Sequence, residues 1–209
     1  MKATLLGTMA VLATTLVALG AGETESGFVS IFDGKTLSGW KPSVENSNTW
    51  KIEDGAIVAR GERSHLFYEA DKPFKNFELK VDVMTGTNSN GGIYFHTKYQ
   101  ADGWPRVGFE TQVNNTHSDW KKTGSLYDVV NVKESAAKDN QWWTQHITVQ
   151  GNKVTVKIDG KTVMEYTEPE SQKAGLIFTR KLDEGTFALQ AHDPGSVVRY
   201  KNIRVKQLE

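Results

Sequence analysis

The sequence predicts an all-β protein, a two-sheet sandwich of jelly-roll type, and three observations carry that expectation. Apolar residues recur with a period of two along most of the chain, the spacing of one face of a strand. Nineteen glycines and 10% aromatics accompany only 38% hydrophobic residues, a balance suited to aromatic-rich strands joined by many turns. No stretch shows the 3.6-residue period of a long amphipathic helix; 133–140 and 168–174 each have room for a short turn.

Taken in order, the chain opens with Met1-Lys2, followed by an apolar run from Leu5 to Leu19 broken only by Gly7, Thr8, Thr14 and Thr15. Small residues follow at Ala18, Gly20, Ala21 and Gly22, as signal peptidase requires. The run is shorter than the roughly 20 apolar residues of a membrane span. Residues 1–21 are therefore expected to be a cleaved signal peptide. The mature protein is expected to be periplasmic or secreted and free of the membrane. Residues 23–27 are polar, and one domain is expected over 28–208.

Strands are expected at 28–32, 50–60, 65–69, 76–84, 91–99, 107–114, 125–132, 143–150, 153–159, 162–167, 186–192 and 197–207. The segment 145–167 is the clearest: Ile147 and Val149 alternate with polar residues, Gly151-Asn152 turns the chain, and Val154, Val156 and Ile158 alternate again. Asp159-Gly160 then marks a second hairpin before Val163. So many strands do not remain easily in one open sheet, which is why two packed sheets are expected.

Charge and cysteine content exclude several functions. Lys and Arg number 25 against 25 Asp and Glu, so the basic surface that a nucleic-acid binder needs is missing. With no cysteine there are no disulfides, Cys-ligated zinc sites, iron–sulfur clusters or thiol nucleophiles.

The strand faces point to a site. Burying Ile93/Phe95, Val107/Phe109/Thr111/Val113 and Phe187/Leu189/Ala191 turns Tyr94/His96, Glu110/Gln112 and Gln190/His192 outward. These sets lack the Lys, Thr and Ser of an ordinary wet face, such as Thr148, Gln150, Lys153, Thr155 and Lys157 on the 145–167 hairpin. If the three strands are neighbours, a carboxylate, two imidazoles, two amides and a phenol meet on one surface; otherwise each is a separate solvated residue. No ligand spacing supports a metal at His96, Glu110 and His192, so neither metal nor cofactor is expected.

Ten short segments, in order, resemble one family. They begin with Phe28-Val-Ser-Ile-Phe-Asp-Gly-Lys-Thr-Leu-Ser-Gly-Trp40, Trp50-Lys-Ile-Glu-Asp-Gly55, Phe77-Glu-Leu-Lys80 and Asn88-Ser-Asn-Gly-Gly-Ile-Tyr-Phe95. Gly108-Phe-Glu-Thr-Gln-Val113, Lys122-Thr-Gly-Ser-Leu-Tyr127, Gly151-Asn-Lys-Val154 and Asp159-Gly160 follow. Leu189-Gln-Ala-His192 and Val198-Arg-Tyr-Lys-Asn-Ile-Arg-Val-Lys206 close the series. Together they resemble the DUF1080, or 3-keto-disaccharide hydrolase, domain. The resemblance implies a concanavalin A-like lectin/glucanase sandwich, exported by bacteria and acting on sugars oxidised to a ketone at C3. Where the family usually reads Gln-Asp-His-Gly, this chain reads Gln190-Ala191-His192-Asp193.

A glycosidase of the ordinary kind needs two carboxylates, and the Gly108–Val113 strand offers only Glu110. A 3-keto substrate relaxes that demand. Its ketone acidifies the hydrogen at C2, so one base can drive β-elimination of the leaving oxygen, and water then adds to the enone. Glu110 or His192 is the expected base, with the other assisting protonation. Tyr94, His96, Gln112, Gln190, Lys122 and Tyr127 are the expected substrate-binding residues. Trp104 and Trp120, from the long connection 99–124, are expected to stack on sugar rings. His65, His117 and His146 are expected to stand apart. The partner is a carbohydrate; the rival reading is a non-catalytic, lectin-like carbohydrate-binding module using the same face. Oligomeric state is not legible.

Overall fold

The computed structural model describes residues 25–209; the expected signal peptide, 1–21, lies outside the described residues. Among the described residues, thirteen strands form two antiparallel sheets. They are β1 (Val29–Ser30), β2 (Trp40–Pro42), β3 (Trp50–Glu53), β4 (Ala56–Arg60), β5 (Ser64–Tyr68), β6 (Phe77–Thr85) and β7 (Asn90–Thr97). After these come β8 (Phe109–Asn114), β9 (Trp143–Gln150), β10 (Lys153–Ile158), β11 (Lys161–Thr167), β12 (Thr186–Ala191) and β13 (Val197–Gln207). One sheet runs β11-β10-β9-β6-β13-β4-β3, with β1 also pairing β13; the other runs β2-β5-β12-β7-β8.

The core fills the space between the sheets. Phe77, Leu79, Val81 and Val83 of β6 alternate with half-buried polar residues, as period two requires. Opposite them, Leu66, Ile93, Phe95, Phe109, Val113, Phe187 and Leu189 are buried in the same core. Two polar bonds cross within it: Gln145 Nε2 donates to Thr111 Oγ1 at 3.0 Å, and Tyr200 Oη donates to Gln190 O at 3.1 Å. Buried polar groups need such partners, and these two pin one sheet's register against the other.

Three local expectations are corrected. The expected 50–60 strand is a hairpin, because Asp54 and Gly55 both take positive φ (51° and 76°) and turn the chain between β3 and β4. The short strand β2 was not expected. Residues 125–132 form turns: Asp128 (φ 58°) reverses the chain, and Val129 N and Val130 N both donate to Leu126 O at 2.9 Å. Ser125 and Leu126 are the wholly buried residues of this stretch; they anchor the turn and leave Tyr127 half-buried and Asp128 exposed beside β8.

Candidate functional site

β12, β7 and β8 are neighbours, and their register builds two rows across the outer face of the five-stranded sheet. One row is His65–Gln190–Gly92–Gln112; the next is Phe67–Ala188–Tyr94–Glu110. Connections between strands rise around these rows to enclose a pocket of about 280 Å³, near the lower end for small-ligand sites. Tyr94, Trp104, Glu110, Gln112, Tyr127, Gln190 and His192 all line it.

Glu110 is the floor's charged group. Its Oε2 accepts from Tyr94 Oη at 2.8 Å and its Oε1 from Gln190 Nε2 at 2.8 Å; the same amide nitrogen reaches Tyr94 Oη at 3.1 Å. Burial pushes the Glu110 pKa up to about 7, even though the Tyr94 and Gln190 bonds and the charge of Arg180 favour the carboxylate. Burial and the adjacent Glu110 push the Tyr94 phenol well above its ordinary range, so it keeps its proton and remains a donor. In the amide orientation that suits its neighbours, Gln112 donates to Gly91 O at 3.2 Å and to Glu110 Oε1 at 3.1 Å. The carboxylate lies over Gly92, where a Cβ would come within 2.3 Å of Oε1, so only glycine leaves room for it.

His192 stands at the pocket wall. Its Nδ1 bonds Asp193 Oδ2 at 2.9 Å, and that carboxylate is fixed by Ser196 Oγ (2.7 Å) and Gly195 N (2.9 Å). Burial alone would raise the Asp193 pKa, but those bonds outweigh it and hold the carboxyl below its usual range. An ionised Asp193 keeps the proton on His192 Nδ1 and leaves Nε2 as the ring's free nitrogen. The indole of Trp104 packs 5.2 Å from the His192 ring and 5.6 Å from that of His65. His65 is wholly buried, and burial pushes its pKa down to about 3, with the charges of Arg63 and His192 acting the same way.

His117, His192 and Asp193 bring ligand-type atoms within 4.8 Å of one another. The hydrogen bonding does not suit a metal there. His117 Nδ1 accepts the Asp119 N–H at 3.1 Å, so its proton sits on Nε2, the nitrogen 3.9 Å from Asp193 Oδ2. A ligating imidazole would carry the opposite tautomer.

Three expected site residues lie elsewhere. His96 takes a positive φ (53°) beside a register shift between β12 and β7, which turns its ring off the outward face. The ring packs against Phe77 and Phe95, Nε2 bonds Lys75 O at 2.9 Å and Nδ1 accepts from Asp183 N. Lys122 folds back along its own loop, donating to His117 O (2.6 Å) and Asp119 O (2.8 Å). Trp120 is 53% exposed and outside the pocket lining. His65 and His117, expected to stand apart, pack against Trp104 and His192 instead.

The pocket also holds residues that period-two reading missed, because they sit on connections. Arg180, Phe178 and Asp128 line it. Arg180 is the only Lys or Arg among the described lining residues. Its guanidinium lies 3.2 Å from Asp128 Oδ2 and over the rings of Phe178 (5.3 Å) and Tyr127 (6.0 Å). Asp128 supplies a second carboxylate, but Lys121 holds its Oδ1 at 2.5 Å and Arg180 its Oδ2, so despite partial burial its pKa falls. Turn residues between hydrophobic runs gave no signal beyond the Arg itself.

Comparison with known proteins agrees with this architecture. Residues 27–206 match the 3-keto-alpha-glucoside-1,2-lyase-like domain model. A 3-keto-disaccharide hydrolase of Bacteroides thetaiotaomicron is 26% identical over 88% of this chain and 79% of its own length. A candidate glycosyl hydrolase from Parabacteroides distasonis superposes with a TM-score of 0.73 at 22% identity, covering 88% of this chain and 94% of that one. A non-specific endo-beta-1,3(4)-glucanase of family GH16 superposes with a TM-score of 0.58 at 14% identity, over 88% and 93% of the two chains. The last two share the fold, a glucanase-type jelly roll.

The chain belongs to the 3-keto-alpha-glucoside-1,2-lyase-like domain family, and through it to carbohydrate-active enzymes.

Proposed function

We propose that this family member cleaves 3-keto-glycosides by elimination followed by hydration, with Glu110 as the base. The observation that carries the reading is the Glu110 carboxyl, lifted to about 7 by burial within a pocket of sugar-binding size. A base is most effective when its pKa lies near the working pH. A module that only binds glycans has no use for a carboxyl held at that cost.

In the first step Glu110 takes the proton from C2, breaking the C2–H bond and placing charge on the C3 oxygen. Arg180 and the Tyr127 hydroxyl are the donors suited to hold that charge, with Arg180 taking the role expected of Lys122. The enolate then re-forms the ketone while C1=C2 forms and the C1–O bond breaks. His192 Nε2, in its protonated form, supplies the proton to the departing oxygen. Water adds at C1 and gives one proton back to His192, while C2 is protonated from Glu110 after its proton has exchanged with solvent, giving net hydrolysis. Hydrolysis by two carboxylates would require Asp128 to act as nucleophile or acid, and both of its oxygens are occupied by cations.

The test compares oxidised and parent glycosides in deuterated water. Cleavage confined to the 3-keto substrates, with deuterium at C2 of the released keto-sugar, is the expected result. Equal rates on both, or product without C2 deuterium, removes the elimination mechanism. Tight glycan binding without cleavage of either assigns the face to a binding module.

A further inference from the structure

The loop between β11 and β12 carries three consecutive apolar residues that the core does not use. Leu176 is fully exposed, Ile177 is 70% exposed and Phe178 is 36% exposed. The tip is tied down. Gly175 N donates to Thr179 O at 3.0 Å, closing a turn in which a Cβ on Gly175 would meet Phe178 O at 2.2 Å. Thr179 N donates to Arg106 O at 2.8 Å, and Gly108 N donates to Thr179 Oγ1 at 2.9 Å. These bonds fasten the tip to the strip Trp104–Gly108, part of which forms the pocket wall. Phe178 belongs to both the tip and the wall, so the exposed apolar surface continues directly from the pocket.

A run of exposed apolar residues on a fixed loop marks a binding surface more often than a solvated one. Sugar faces stack on aromatic rings, whereas Leu and Ile side chains gain most by covering an apolar group. We infer that the Leu176–Phe178 tip is the leaving-group subsite and that it favours glycosides whose aglycone is apolar, such as a phenyl ring, over a second sugar. The glycosyl unit fills the pocket over Glu110 and the aglycone lies outward against the tip. The inference rests on the pocket being the glycoside site proposed above.

Binding of uncleaved parent glycosides tests it without relying on turnover. Calorimetry on the full chain with 4-nitrophenyl β-glucoside and methyl β-glucoside is expected to show about tenfold tighter binding of the aryl ligand. In a Leu176→Ser/Ile177→Ser variant the two affinities are expected to converge, through weaker aryl binding alone. Both positions are exposed and outside the catalytic groups, and unchanged methyl glucoside affinity reports an intact pocket. Equal affinities in the unaltered protein, or a preference that survives in the variant, overturns the subsite. A concentration-dependent dimer abolished by the variant, without any aryl preference, also overturns it by assigning the tip to a second copy of the chain. Cleavage of 3-keto substrates is measured separately, so failure of the elimination reading is seen as lost turnover and failure of the subsite as lost aryl preference.

Discussion

Glu110 sets the behaviour of the site one residue at a time. Replacing it with Gln keeps the shape and most hydrogen bonding but removes the proton acceptor, so turnover on 3-keto substrates should fall by about 10²–10⁴ while the protein stays folded. Because its folded pKa is raised to about 7, Glu110 is protonated and inactive as a base below that pH. kcat/KM should therefore climb about tenfold per pH unit up to roughly 7. Stability carries the opposite sign. A raised folded pKa stabilises fully below the unfolded value of 4.5, and that contribution is lost as pH rises through 7. Thermal melts should show this decline between pH 4.5 and about 7 in the unaltered protein and not in Glu110→Gln. A pH–rate profile with no limb near 7 would remove Glu110 as the base. Its neighbour Gly92 gives a second test: a Cβ 2.3 Å from Oε1 must displace the carboxylate, so Gly92→Ala should lose about a hundredfold in kcat with the fold intact by circular dichroism.

Strands and connections divide the labour among elements. β7, β8 and β12 carry Tyr94, Glu110 and Gln190 on rigid backbone, while the connections bring His192, Trp104, Tyr127 and Arg180 to the edges. The bulge at His96 shows how one backbone angle reassigns a residue, from the outward face to the core. His96→Ala removes a buried ring and leaves Lys75 O without its donor. It should destabilise by about 2–4 kcal/mol in denaturant titration while the folded protein keeps its turnover. Lost turnover at unchanged stability would return His96 to the site.

At the scale of the molecule, the sandwich carries the Glu110 pocket on the outer face of the five-stranded sheet and buries Phe77, Phe95, Phe109, Phe187 and Tyr200 between the sheets. The expected leader has its own check. Expression in a secreting bacterium should give mature protein beginning between Ala21 and Glu23, and N-terminal sequencing that finds Met1 on periplasmic protein would refute export.

The sequence by itself determined the fold class and the outward faces of the strands that line the pocket. Period two decides which residues share a face whatever the loops do, so alternation put Tyr94, Glu110, Gln112 and Gln190 on the outward faces of their strands, and the pairing of β12, β7 and β8 joined them. The hairpin at Asp159-Gly160 was legible for a similar reason, since that dipeptide favours the positive φ values the turn needs. Tertiary structure decided the rest. Arg180, Phe178 and Asp128 lie on connections without a period, and only the packing of those connections over the sheet brings them to Glu110. Lys122 left the site because two loop carbonyls offered its ammonium closer partners. His96 left it because a non-glycine residue at positive φ is held by its surroundings, and alternation carries no record of that. Neither does it record the lifted pKa of Glu110, which is produced by burial under residues distant in the chain.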